Sequence, residues 1–170
     1  PAAGLPWPQH DPMFTWAQYN QMMKGLFLIN NFGLFQGDSS SYYLHDGLDI
    51  VLANGTKIFA ITDGVVRVLN DAVQNYRTII IEDANDPYHA WSYTHVGDIR
   101  VKVGDAVRQG DWLAVIEFAG IEHIHLTRLE RFSRLTDWTD DTVVARQPDG
   151  YFTYFDTEAP IFGDAFEFYR

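Results

Sequence analysis

Three short stretches carry four of the six histidines in this chain: His45-Asp46-Gly47-Leu48-Asp49, Tyr93-Thr94-His95 and His123-Ile124-His125. Imidazole and carboxylate are ligand types that zinc takes, and a catalytic zinc keeps three protein ligands and one position open to water. Brought together, these residues point to metal-assisted hydrolysis.

Each stretch has a functional and a plain reading. In a strand, residues two apart share a face, so His123 and His125 stand roughly 6.6 Å apart along the chain. One ring can then bind a metal while the other reaches the metal's water, and Ile124 turns to the core. The plain reading is two polar residues on the solvated face of an edge strand. His45 and Asp49 would lie about 13 Å apart in a flat strand, too far to share an ion held by ~2 Å bonds. They converge only if the chain bends at Asp46-Gly47, where glycine accepts backbone angles closed to other residues. The plain reading is a surface turn. His95 ends an apolar run and by itself reads as a strand-end histidine. His10 and His89 fall in proline-containing loops and read as surface residues without a role.

The elements that must position these groups are short. Lys57–Ala60, Gly64–Leu69, Thr78–Glu82, Trp91–His95, Trp112–Ile116 and Ile124–Leu129 are β-branched or aromatic runs, several separated by turn pairs such as Asn54-Gly55 and Asp63-Gly64. The spacing between runs favours antiparallel pairing over helical crossovers. A mainly β fold is predicted, with an antiparallel sandwich or barrel-like core. Val101–Ala114 alternates apolar residues around two glycine turns and reads as a hairpin. Asp11–Phe27 reads as a helix or, through Gly25–Ile29, a strand. Arg131–Asp141 reads as a short helix or a loop, and Asp149-Gly150 as a turn before an aromatic tail that packs back on the sheet. The expected organisation is one domain: a lead-in over 1–31, a core over 32–130 and a C-terminal extension over 131–170.

Composition narrows the function. Twelve Lys and Arg against 23 Asp and Glu give a net charge of −11. Nucleic acid and anionic membrane surfaces both need clustered basic residues, so neither is an expected partner. The chain has no cysteine, which excludes disulfides, thiolate metal sites and cysteine nucleophiles. No apolar run approaches the ~20 residues of a membrane span. The chain begins at Pro1 and not at Met, which fits a trimmed or processed N-terminus.

The order HxxxD, YxH, VxVGDxVxxGDxLA, HxH resembles the lysostaphin/LytM-type zinc metallopeptidases, most of which are peptidoglycan endopeptidases. The resemblance runs from about Phe32-Gly33 to Leu129 and includes Gly55–Val66, which looks like that family's strand-turn-strand. It implies that His45, Asp49 and His125 bind one zinc ion in a groove of the β core, and that His95 and His123 are the catalytic histidines. Such an ion lowers the pKa of its water from ~15.7 toward ~7. One free histidine can take the water's proton, and the other can stabilise the oxyanion or protonate the leaving amine. The resemblance further implies export to the periplasm, cell envelope or exterior.

The chain departs from that pattern in two places. The Gly- and Ser/Thr-rich loop before HxH is replaced by Glu117-Phe118-Ala119-Gly120-Ile121-Glu122, and the acidic residue often found two after HxH is Thr127. An additional tyrosine sometimes implicated in the family has only Tyr42 and Tyr43 as nearby candidates. Two other functions compete: a catalytically silent module of the same fold that regulates cell-wall hydrolysis, and a biotinyl or lipoyl carrier built on the Val101–Ala114 hairpin. The silent module usually lacks a ligand, and none is missing here. The carrier needs a lysine at a hairpin tip, and Lys24, Lys57 and Lys102 are not flanked that way.

Overall fold

A computed structural model describes residues 5–13, 28–30, 32–33, 35–38 and 41–148. Within them the chain forms strands β1 (Leu28–Asn30), β2 (Phe35–Asp38), β3 (Ser41–Leu44), β4 (Leu48–Val51), β5 (Lys57–Phe59), β6 (Gly64–Asn70), β7 (Thr78–Asp83), β8 (His89–Thr94), β9 (Val96–Gly97), β10 (Ala106–Val107), β11 (Trp112–Ile116), β12 (His123–Glu130) and β13 (Val144–Arg146). One 3-10 turn, Gln74–Tyr76, joins β6 to β7. The main sheet runs β1-β4-β12-β8-β7-β6-β10, with β13 paired to β12. A second sheet runs β5-β11-β9, and β2 and β3 form a hairpin. The described ladders are antiparallel throughout. The mainly β, antiparallel expectation holds.

Side-chain alternation explains how the sheets pack. Ile79 and Ile81 of β7 join Ile50, Trp91, Tyr93 and Ile124 of the main sheet against Ile58, Leu113 and Ile116 of the second sheet, in one buried cluster. Ile80, pointing the other way as the period of two requires, meets Ala90 and Trp138 in a smaller cluster on the opposite face. The three consecutive isoleucines are therefore buried on both sides. Trp138 comes from residues 131–142, which are turns and bends with no helix. Of the two forms expected for Arg131–Asp141, the structure takes the loop. That loop covers the outer face of β7 and β8.

Val101–Ala114 is not a hairpin. β10 pairs with β6 in the main sheet, whereas β11 pairs with β5 and β9 in the second. Two tight turns redirect the chain between the layers. In the first, the Lys102 N–H donates to Asp105 Oδ2 at 3.0 Å; in the second, the Arg108 N–H donates to Asp111 Oδ2 at 2.8 Å. Alternation around glycines does not tell a hairpin from a chain that changes sheets. His89 opens β8, half-buried and 2.7 Å from Asp86, and so does not lie in a loop. In the lead-in, Trp7 is buried and Pro8 accepts a hydrogen bond from the Phe59 N–H at 2.6 Å. The helix-or-strand expectation over Asp11–Phe27 falls outside the described residues from 14 onward, apart from the strand residues Leu28 and Ile29. The Asp149-Gly150 turn and the aromatic tail lie outside them too.

Tyr93 ties the two layers with a polar bond. Its side chain is fully buried, and its hydroxyl accepts the Ile61 N–H at 3.1 Å. Burial pushes its ionisation upward, so the group stays a neutral hydroxyl. Removing it leaves the Ile61 N–H buried without this partner. Tyr93→Phe is expected to destabilise the fold by about 1–3 kcal/mol, measured as a lower urea midpoint with an unchanged slope.

Candidate metal centre

The metal-type residues meet because β12 lies between β4 and β8. Its register with β4 sets His125 opposite Asp49 and His123 opposite Val51. Its register with β8 sets His125 opposite Thr94, one residue before His95. His45 follows β3 at the corner that leads into β4. The bend that His45 and Asp49 require is present, and His45 Nε2 lies 3.2 Å from Asp49 Oδ2. The part played by Gly47 differs from the expected one. Its φ is not among the positive values. A Cβ there would stand 2.6 Å from the Leu126 carbonyl, 2.8 Å from Thr127 Oγ1 and 2.9 Å from His125 Cε1. The glycine is required for space, so that the corner can lie against β12.

Three donor atoms face one another. His125 Nδ1 is 2.8 Å from Asp49 Oδ1 and 3.1 Å from His45 Nε2. His45, Asp49 and His125 each offer a ligand atom within 4.8 Å of the others. Ligands at ~2.0–2.1 Å around a tetrahedral ion stand roughly 3.3 Å apart. Two imidazoles and one carboxylate at these separations fit a divalent ion of the zinc type. His45 and Asp49 are buried.

His95 and His123 stand beside this trio, their ring centroids 4.6 Å apart. Each is oriented from behind. His95 Nδ1 donates to the Asn75 carbonyl at 2.6 Å, and His123 Nδ1 donates to the Ile121 carbonyl at 2.6 Å. A carbonyl only accepts, so Nδ1 carries the proton and the neutral ring keeps a lone pair at Nε2. His123 Nε2 is 3.6 Å from Asp49 Oδ1. His95 adopts φ 69°, a left-handed conformation that costs a non-glycine residue about 1–3 kcal/mol. Its backbone is clamped on both sides, with its N–H on the Arg77 carbonyl at 3.1 Å and its carbonyl on the Glu117 N–H at 2.9 Å.

Sequence reasoning missed several neighbours. The Phe118 ring lies 4.2 Å from that of His95 and 4.8 Å from that of His123. Tyr76 lies 5.8 Å from His95, whereas the side chains of Tyr42 and Tyr43 are outside the described set. Asp46 Oδ1 is 2.9 Å and Thr127 Oγ1 3.1 Å from His125 Nε2. Asp46 sits inside the first motif, and the only signal for it was its place at the bend. His10 and His89 are not among the metal-type donors.

Residues 43–137 match the sequence model of peptidase family M23. The chain belongs to that family. Solved structures share the fold. LytU is 27% identical with a TM-score of 0.57, over 73% of this chain and 82% of that one. The catalytic domain of the antimicrobial peptidase lysostaphin from Staphylococcus simulans is 21% identical with a TM-score of 0.58, over 76% and 93%. A zinc-containing peptidase from Vibrio cholerae is 23% identical with a TM-score of 0.55, over 64% of this chain and 35% of that one. The chain thus spans about a third of the Vibrio protein and nearly all of the lysostaphin domain.

Two histidines are perturbed in opposite directions in the metal-free protein. Burial opposes charge on His125, but hydrogen bonds to Asp46 and Asp49 outweigh it and push the ring up to about 9. Burial pushes His95 down to about 4, against the pull of the Asn75 carbonyl. The folded value for His125 exceeds the ordinary ~6.5, so its stabilisation is complete below pH ~6.5 and lost as pH rises through 9. His95 acts the other way and removes stability as pH falls from ~6.5 toward 4. Urea midpoints of metal-stripped protein are expected to fall between pH 6.5 and 9, and His125→Asn to flatten that limb. Gly47→Ala is expected to cost about 1–3 kcal/mol through overpacking, read from urea unfolding, and to weaken zinc binding in a chelator competition by displacing His125.

Proposed function

We propose that this chain is a zinc-dependent endopeptidase that hydrolyses peptide bonds in the cross-links of bacterial cell-wall peptidoglycan, acting outside the cytoplasm. The observation that carries this reading is the meeting of five side chains: His45, Asp49 and His125 as ligands, with His95 and His123 beside them. Zinc held there would act as a Lewis acid on the scissile carbonyl and make a water nucleophilic near neutral pH. His95 and His123 do the proton work. Each keeps Nδ1–H on a backbone carbonyl and so turns Nε2 to the reaction. One accepts the proton of the attacking water, and the other hydrogen-bonds the oxyanion or delivers a proton to the leaving amine. His95 is suited to this because burial keeps it neutral at pH 7.

Phe118, against both histidines, and Ile121, 65% exposed, give the residue beside the scissile bond an apolar neighbour. The net charge of −11 disfavours holding an acidic polymer by charge, so the reading places recognition in the peptide and not in wall charge. The silent-module reading gains nothing from the site, where every ligand position is filled by a ligand-type residue. The carrier reading loses the hairpin it needs.

Zinc-loaded protein is expected to release free amines from purified sacculi. His95→Ala and His123→Ala are each expected to lower kcat about 10²-fold or more while zinc content stays at one per chain. Fully loaded wild type that frees no amines would overturn the assignment.

A further inference from the structure

We propose that Asp46 is a positioning residue for His125, holding the rear nitrogen of that ring so that its front nitrogen faces the metal. The inference rests on the zinc reading of the site. An imidazole that ligates through one nitrogen carries its proton on the other, and that proton needs an acceptor. Here the front nitrogen is Nδ1, set between Asp49 at 2.8 Å and His45 at 3.1 Å. The rear nitrogen, Nε2, has two oxygens within reach: Asp46 Oδ1 at 2.9 Å and Thr127 Oγ1 at 3.1 Å. Of the two, the carboxylate is the stronger acceptor. Thr127 is buried and lies on β12 itself, two residues from His125 and on the same face, so it supports the ring from below.

The corner between β3 and β4 explains how Asp46 gets there. Gly47 lets that corner sit against the Leu126 carbonyl and the edge of the His125 ring, with no room for a Cβ. From the one corner, His45 reaches the front of the site and Asp46 the back of the same ring. Consecutive residues thereby set both the metal side and the outer side of His125. Asp46 is 65% exposed, so water screens its charge at a distance, and its effect is expected to come mainly through the hydrogen bond.

Zinc dissociation constants for wild type, Asp46→Asn and Asp46→Ala, taken by competition with a chromophoric chelator at one pH, test the inference. Asp46→Ala is expected to bind zinc about 10–100-fold more weakly. Asp46→Asn keeps an acceptor without the charge and is expected to retain most of the affinity. Asp46→Ala within twofold of wild type overturns the inference, and so does Asp46→Asn as weak as Asp46→Ala, which would make the effect one of field alone. Wild type that holds no zinc overturns the metal reading as well, whereas zinc-loaded wild type with indifferent Asp46 variants leaves that reading standing. Because the substituted side chain is mostly in solvent, all three proteins are expected to fold, and matching far-ultraviolet circular dichroism with a cooperative urea transition of each stripped form checks it.

Discussion

The candidate site depends on the register between β4 and β12. Pairing Asp49 with His125 places a carboxylate and an imidazole on one face of the sheet, and pairing Val51 with His123 brings the second imidazole alongside. A slip of one residue would turn Asp49 or both β12 histidines to the wrong face. The register is held from both directions. Ile50, Leu48, Ile124 and Leu126 are all buried in the core, so the apolar partners of the same two strands resist the slip that would scatter the polar ones. The chemistry of one face is thus protected by the packing of the other.

The polar face carries a cost of its own. Two carboxylates and four imidazoles are gathered within a few ångströms, several of them buried. Without a cation at the centre, the acidic groups draw a proton onto His125, which then bridges Asp46 and Asp49. A divalent ion would replace that proton, and metal binding and proton release are coupled for this reason. His95 and His123 are anchored differently, each by its Nδ1–H on a main-chain carbonyl. The trio of His45, Asp49 and His125 and the pair of His95 and His123 are kept apart by their hydrogen-bond partners, although His123 and His125 share a strand.

Much of the fold was legible in the sequence, because period-two alternation and turn pairs mark antiparallel strands. Six runs read as strands became β5, β6, β7, β8, β11 and β12, with ends shifted by a residue or two. The sequence misled where one local pattern serves two topologies. Val101–Ala114 alternates like a hairpin yet divides its halves between sheets, since glycine turns at positions 104 and 110 fix a bend and not a partner. The five metal and catalytic candidates were legible as residue types, and the requirement for a bend at Asp46-Gly47 followed from distance alone. What could not be read was anything set by three-dimensional approach: the space that Gly47 must leave, the carbonyls of Asn75 and Ile121 behind the histidines, Phe118 against both rings, and Asp46 behind His125. Most have no spacing signature because the partner arrives from another strand or loop, and Ile121, only two residues from His123, lends a backbone carbonyl that no residue type marks.

The strand order of the main sheet has a consequence for biosynthesis. His45 and His125 are separated by 80 positions along the chain, yet β12 is inserted between β4 and β8, which are both translated before it. Until that late strand emerges and docks, the earlier strands have an open slot in the sheet and no His125 to face His45 and Asp49. A truncated or still-threading polypeptide therefore lacks the assembled cluster of His45, Asp49 and His125, which forms only with the closing contact of high sequence separation.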